Sequence, residues 1–244
     1  MANRSDSPST ASAVVATVGT HEVVFDADLR SYMLSVYNYM ASGVLLTGIV
    51  ALLFAQSGAA AQVMRGPGSL KYIIMLAPLA LVMALSIGAH RLSVKTTQIL
   101  YWAFAAVMGL SIASIFLVYT GSSIATTLFA TAAAFAGLSL WGYTTRRDLS
   151  AWGTFLIMGI CGLIVASLIS MFVGSGGLQL ITSFAGVLLF AGLTAYDTQQ
   201  IKSMYASVTG EAMMEKTVIM GALRLYLAFI NMFMMLLGST GSRR

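Results

Sequence analysis

The chain has 244 residues, of which 58% are hydrophobic and 9% charged, with a net charge of +5 and a mean hydropathy of +0.87. Soluble domains carry about 25% charged residues, so the composition argues against a water-soluble globule, and the length is better counted in membrane spans of about 20 residues. One cysteine, Cys161, leaves no disulfide framework and no multi-cysteine zinc site, and thirteen basic residues scattered along the chain form no cluster that would grip nucleic acid.

Residues 1–30 read as a retained, partly disordered cytoplasmic tail. They are rich in Ser and Thr and hold half of the eight acids: Asp6, Glu22, Asp26 and Asp28. His21 in this tail reads as a solvated histidine. Seven apolar runs follow, at 31–56, 72–90, 98–119, 122–143, 152–172, 178–198 and 218–238, which together make residues 31–238 the membrane domain and 239–244 a short C-terminal tail. Each run is long enough to cross a core of about 30 Å at 1.5 Å per residue. Each must be helical, because backbone polar groups in lipid need internal partners. The expected class is therefore an all-α integral membrane protein with seven transmembrane helices. Thr120-Gly121 makes the third and fourth spans a tight hairpin, Gly174-Ser175-Gly176-Gly177 joins the fifth and sixth, and Pro78 should kink the second.

Basic residues set the orientation. Arg30, Arg91, Lys95, Arg146, Arg147, Lys202 and Lys216 flank spans on the side of the N-terminus, against Arg65, Lys71, Arg243 and Arg244 on the other. This bias places the N-terminus in the cytoplasm and, with seven spans, the C-terminus outside. The small residues within the spans favour close helix packing, and the sixteen Met read as gap fillers rather than as a soft-metal path.

Asp197, in Tyr196-Asp197-Thr198-Gln199 at the cytoplasmic end of the sixth span, is the acid hardest to place. It is either a wet interfacial carboxylate or a titratable group lining a water-filled cavity. Arg224, about one and a half turns inside the seventh span, is the matching cation, with a stem long enough to snorkel. Arg91 reads either as an orientation signal or as part of the same site, and His90 beside it as an interfacial residue, since no partner stands at metal-ligand spacing. No metal or cofactor site is expected.

The stretch 195–199 (AYDTQ), followed by 221–233 (GALRLYLAFINMF), resembles the last two helices of the Bax inhibitor-1 family, and of its bacterial branch in particular. Val36-Tyr37-Asn38-Tyr39-Met40, Gly109-Leu110-Ser111 and the run 142–150 (GYTTRRDLS) extend the resemblance over approximately residues 28–238. The resemblance implies a central seventh helix wrapped by the other six, and a pH-sensitive calcium leak gated by two aspartates on the last two helices. Two carboxylates held together share a proton and titrate as a pair, which supplies such a gate. The first aspartate matches Asp197, and an arginine that pairs with the two matches Arg91. The place of the second is taken by Ala228, which removes the shared-proton pair. Because Arg224 and Ala228 lie one turn apart on one helix face, an Asp197–Arg224 pair is expected to replace the two-aspartate latch, with weak switching near neutral pH.

Two functions follow. One is a calcium leak through the lipid bilayer with Asp197 in its path. The other is a regulatory protein that restrains a membrane-bound AAA+ protease or modulates stress and cell-death responses. The resemblance implies a bacterial inner membrane, with an organelle membrane as the alternative. Enzyme readings lack their parts. Ser175 has only His21 and His90 as candidate bases, Asp197 has no second acid for an aspartyl protease, and the chain shows no phosphate-binding glycine loop. The chain is expected to have no catalytic residues.

Overall fold

The computed structural model describes residues 10–66, 68–88, 91–173 and 176–244, with side chains from residue 27 onward except that of Met171. His90 and Ser175 lie outside the described residues, as does the His21 side chain. Among the described residues the chain forms nine helices: α1 (Thr10–Gln56), α2 (Ala59–Arg65), α3 (Leu70–Gly88), α4 (Val94–Ile112), α5 (Ile115–Val118), α6 (Gly121–Thr144), α7 (Ser150–Val173), α8 (Gly176–Tyr205) and α9 (Glu211–Thr240). Seven stretches are long and apolar enough to cross a membrane, at Ala27–Gln56, Leu70–Gly88, Val94–Val118, Gly121–Thr144, Ser150–Ser170, Gly176–Tyr205 and Glu211–Thr240. They coincide with the seven apolar runs, and the chain is an integral multi-pass helical membrane protein.

The last helix is the centre. Of the most apolar stretch of α9, 67% is buried, against at most 33% in any other span. It packs chiefly against α1, α4, α6 and α8, while α3 leans on α4, and α7 leans on α8. The expected ring of six is thus an inner shell of four with two helices propped against its outside. Exposed side chains of α3 and α7, such as Leu76, Leu79, Phe155 and Phe172, form apolar outer surfaces, as a helix facing hydrocarbon requires.

Three further features depart from the hydropathy reading. The third span is two helices, α4 and α5, broken at Ala113 and Ser114. Its link to α6 is only Tyr119 and Thr120, yet the two spans do not make a packed hairpin: α4 lies on α1 and α3, whereas α6 lies on α8, each having found a larger partner. Finally, α8 and α9 run well past the apolar windows, to Tyr205 and from Glu211. Hydropathy marks where a helix meets lipid, and backbone hydrogen bonding carries it further.

Close approach fixes the inner shell. At Gly142 on α6 an added Cβ would fall against the Ala195 carbonyl oxygen and within 2.9 Å of the Ala195 Cα on α8, so only glycine fits. At Gly109 on α4 an added Cβ would stand 2.6 Å from the Thr47 carbonyl oxygen of α1. Gly137, one and a half turns from Gly142 on the same helix, faces open space. Gly142→Ala should therefore force α6 and α8 apart at a cost of about 1–3 kcal/mol, while Gly137→Ala should be neutral or slightly stabilising. Thermal unfolding in detergent checks both, and a wild-type melting temperature for Gly142→Ala would contradict this packing.

Candidate functional site

The site is built on the antiparallel pair α8 and α9. Contacts of Gly186 with Met235, Ser183 with Gly238 and Gly221 with Ile201 fix their register. That register sets Asp197 level with Arg224 and Leu225, and Thr194 level with Ala228. Sequence reasoning put Asp197 at the end of its helix. It stands instead two turns inside α8, with eight more helical residues to Tyr205, and is only 7% exposed. The wet interfacial reading is thereby corrected as to place: a continued helix sets the carboxylate inside the bundle rather than at its rim. Among the described residues no hydrogen bond or ion pair reaches it.

Arg224 does not form the expected contact pair. It is exposed, and among the described residues no ion pair or hydrogen bond joins it to Asp197. The reason lies in its neighbours: Leu223 and Leu225 are buried on either side, and the long arginine stem carries the charge outward from the tight α9 core. Arg91 stands exposed on the α3–α4 connection, where its amide donates to the Gly88 carbonyl at 2.9 Å. It makes no ion pair with Asp197 among the described residues, because α3 packs on α4, away from α8. Ala228 is fully buried, one turn from the level of Asp197.

Tyr32 was not singled out by the sequence. It is 5% exposed, its ring lies 5.3 Å from that of Tyr205, and its hydroxyl is buried with no partner. It lines a cavity of about 510 Å³ together with Asp28, Glu211 and Glu215, so three of the chain's acids gather at one mouth on the N-terminal side of the bundle. Among the described residues no group of three or more His, Cys, Asp or Glu is close enough to hold a metal ion. The acids make a negative mouth rather than a chelate.

The residues flanking Asp197 are occupied. Thr198 donates to the Thr194 carbonyl and shares a hydrogen bond with Ser139 of α6 at 2.9 Å. The Gln199 amide clamps the α6–α7 connection from both ends: its Oε1 accepts from the Leu149 amide and its Nε2 donates to the Arg147 carbonyl, each at 2.8 Å. Lys202 donates to the Tyr143 carbonyl at 2.9 Å and lies over that ring. In the clamped loop, Asp148 accepts from the Ser150 amide at 2.8 Å. Hydrogen bonds from the Ser150 side chain and backbone hold the Asp148 carboxyl below its ordinary range. The polar run 197–200 at the end of an apolar span was the signal, but it did not separate the free carboxylate from the structural amide.

The family described as "inhibitor of apoptosis-promoting Bax1" matches residues 29–244. The chain belongs to the Bax inhibitor-1 family. An uncharacterised protein of Rickettsia prowazekii is 43% identical over 93% of this chain and 96% of its own length. The inner membrane protein YbhL of Escherichia coli is 42% identical over 89% and 94%, and an uncharacterised protein of Caulobacter vibrioides is 42% identical over 90% and 91%. Membership of the Bax inhibitor-1 family covers everything from the first spanning helix onward, so the α8–α9 site lies wholly within the matched region.

Because Gln199 serves the loop, Gln199→Met should release it without disturbing Asp197. Hydrogen exchange at the Leu149 amide should quicken by roughly fivefold, as expected for one lost hydrogen bond, while amides in the middle of α9 keep their protection. Unchanged exchange at Leu149 would show that the clamp is not formed in the membrane.

Proposed function

We propose that this Bax inhibitor-1 family protein is a passage for cations, calcium foremost, with Asp197 as the acid in its path. The observation that carries the reading is a buried, unpartnered carboxylate in the inner shell of the bundle. It lies level with Arg224 in the α8–α9 register and on the side where an acidic mouth gathers Asp28, Glu211 and Glu215. A carboxylate without a partner in a membrane is costly to keep, and a passing cation is the partner that offsets the cost. The chain is a passage and not a catalyst in this reading. It works in a bacterial inner membrane, a placement supported by the Escherichia coli relative's description as an inner membrane protein.

The usual second acid is replaced by Ala228, so the carboxylate has no neighbouring acid with which to share a proton, and no coupled titration gates the flux. In proteoliposomes of the pure protein, calcium flux should fall about tenfold or more in Asp197→Asn. Ala228→Asp, one turn away across the same interface, should introduce a coupled titration and a steep dependence between about pH 6 and pH 8. Flux untouched by Asp197→Asn removes that residue from the mechanism. If neither the wild type nor the Ala228→Asp form carries calcium, the regulatory interaction reading takes its place.

The same reading places the N-terminus and the acidic mouth in the cytoplasm, following the excess of Lys and Arg on that side. A phosphatase reporter fused after Arg244 should then be active only outside the cytoplasm. Activity of a cytoplasmic reporter at that position would reverse the orientation of the bundle.

A further inference from the structure

The inner shell is not closed. Both α1 and α6 pack on α9, but they do not pack on one another along their length, and an open trough runs between them on the outside of the bundle. One half, a cavity of about 710 Å³, has Val44 and Gly48 of α1 and Ala125 and Ala132 of α6 on its walls and Phe229 and Phe233 of α9 at its floor. The other, of about 590 Å³, runs from Arg30 and Tyr37 to Ala136 and Tyr143. Met40, Ala41 and Phe135 line both, so the two halves are continuous.

The half ending at Arg30 has the features of a ligand site. Its floor is sealed where the hydroxyls of Tyr37 and Ser139 meet at 2.6 Å, and Ser139 is tied in turn to Thr198. The polar groups facing the trough are thus satisfied within the protein, and what remains of its wall is hydrocarbon. From Arg30 to Ala41 the wall is continuous helix, and eleven steps of 1.5 Å make about 16 Å, close to half of a core about 30 Å thick. That is the depth of one leaflet. Arg30 is the charged residue of this lining and is exposed at its mouth, and Arg146 and Arg147 follow Tyr143 by three and four residues, both exposed.

We propose that this trough is a binding site for one anionic glycerophospholipid from the leaflet on the Arg30 side. An acyl chain lies between α1 and α6, and the phosphate is held by Arg30. The match is twofold. A chain of methylenes fills a satisfied apolar trough of one-leaflet depth, and a negative headgroup meets the cation at its mouth. A partner helix lying along the whole continuous trough would leave Arg30 without an anion, whereas a lipid supplies both the hydrocarbon and the charge.

Native mass spectrometry of the full chain in mild detergent, titrated with phosphatidylglycerol or with phosphatidylcholine of the same acyl chains, tests the site. The wild type should retain one phosphatidylglycerol, roughly five- to tenfold more tightly than phosphatidylcholine. Arg30→Gln should erase that preference while leaving phosphatidylcholine binding as it was. Ala136→Trp, which fills the trough from an exposed position, should lose both lipids. Because that variant fails to inform if it misfolds, Ala41→Phe, on the facing wall of the same half and exposed, serves beside it, and a wild-type melting temperature certifies each. Equal affinity for the two lipids in the wild type, a preference that survives Arg30→Gln, or undiminished binding in both well-folded filled variants would overturn the proposal. So would a protein dimer whose formation is blocked by Ala136→Trp while lipid binding is not.

Discussion

A hydrogen bond in the middle of the bundle governs much of what surrounds it. The Thr47 hydroxyl of α1 donates to the Ala105 carbonyl of α4 at 2.7 Å and meets the Tyr226 hydroxyl of α9 at 2.6 Å. All of this lies where the side chains are almost wholly buried. In hydrocarbon such groups have no water to fall back on, so the three helices must keep the spacing that pairs them. Aromatic rings then fill the space: Phe104 stands edge-on to Tyr226 at 5.2 Å, and Tyr101 edge-on to the same ring at 6.5 Å. Tyr101 in turn donates to the Tyr39 carbonyl at 2.8 Å, which ties α4 to α1 a second time. With polar groups paired this thoroughly, the Tyr32 hydroxyl stands apart from the scaffold as the one fully buried side-chain oxygen or nitrogen without a partner among the described residues.

Much of the architecture was legible from the sequence because a bilayer imposes one strong rule. Runs of about twenty apolar residues must be helices, and seven were countable at once. What stayed hidden were the properties that arise between helices. Hydropathy marks Thr198 as the end of the sixth span, because Gln199, Gln200 and Lys202 are polar. The helix continues because Gln199 and Lys202 find carbonyls and an amide on α6 and its following loop, while Gln200 donates to the Tyr196 hydroxyl one turn back. That continuation is what converts Asp197 from a rim residue into an interior one. The short helix α2 and the break at Ala113 and Ser114 carry no hydropathy signature of their own. Spacing along α9 pointed to a pairing of Arg224 with Asp197, and the register sets the two level without joining them. Spacing could not show that the guanidinium would remain exposed. The acidic mouth was invisible for a related reason: Asp28 is separated from Glu211 and Glu215 by nearly the whole chain, and only the packing of α1 beside the start of α9 brings them to one cavity.

Ala228 deserves its place in the account on physical grounds. It is completely buried, opposite Thr194, whose hydroxyl is spent on the Phe190 carbonyl at 2.8 Å. Nothing polar at that level is left for an added group to answer. A methyl there lets α8 and α9 meet without a charge to desolvate.

The helix at the centre of the bundle is also the seventh of its seven spans. A ribosome feeding this chain into a membrane delivers six spans before the one on which four of them pack, so for most of its synthesis the protein has walls and no post. During that interval Thr47 has no Tyr226 to meet, and the links between the early helices, such as Tyr37 with Ser139, must hold the assembly together unaided. The C-terminal residues then finish the work. The Arg244 amide donates to the Val118 carbonyl at 2.9 Å, and the Thr120 amide to the Ser242 carbonyl at 3.1 Å, so the end of the chain is fastened to the α5–α6 connection only once α9 has arrived. Assembly of this bundle is therefore completed only by its seventh span, on which four of the other six pack.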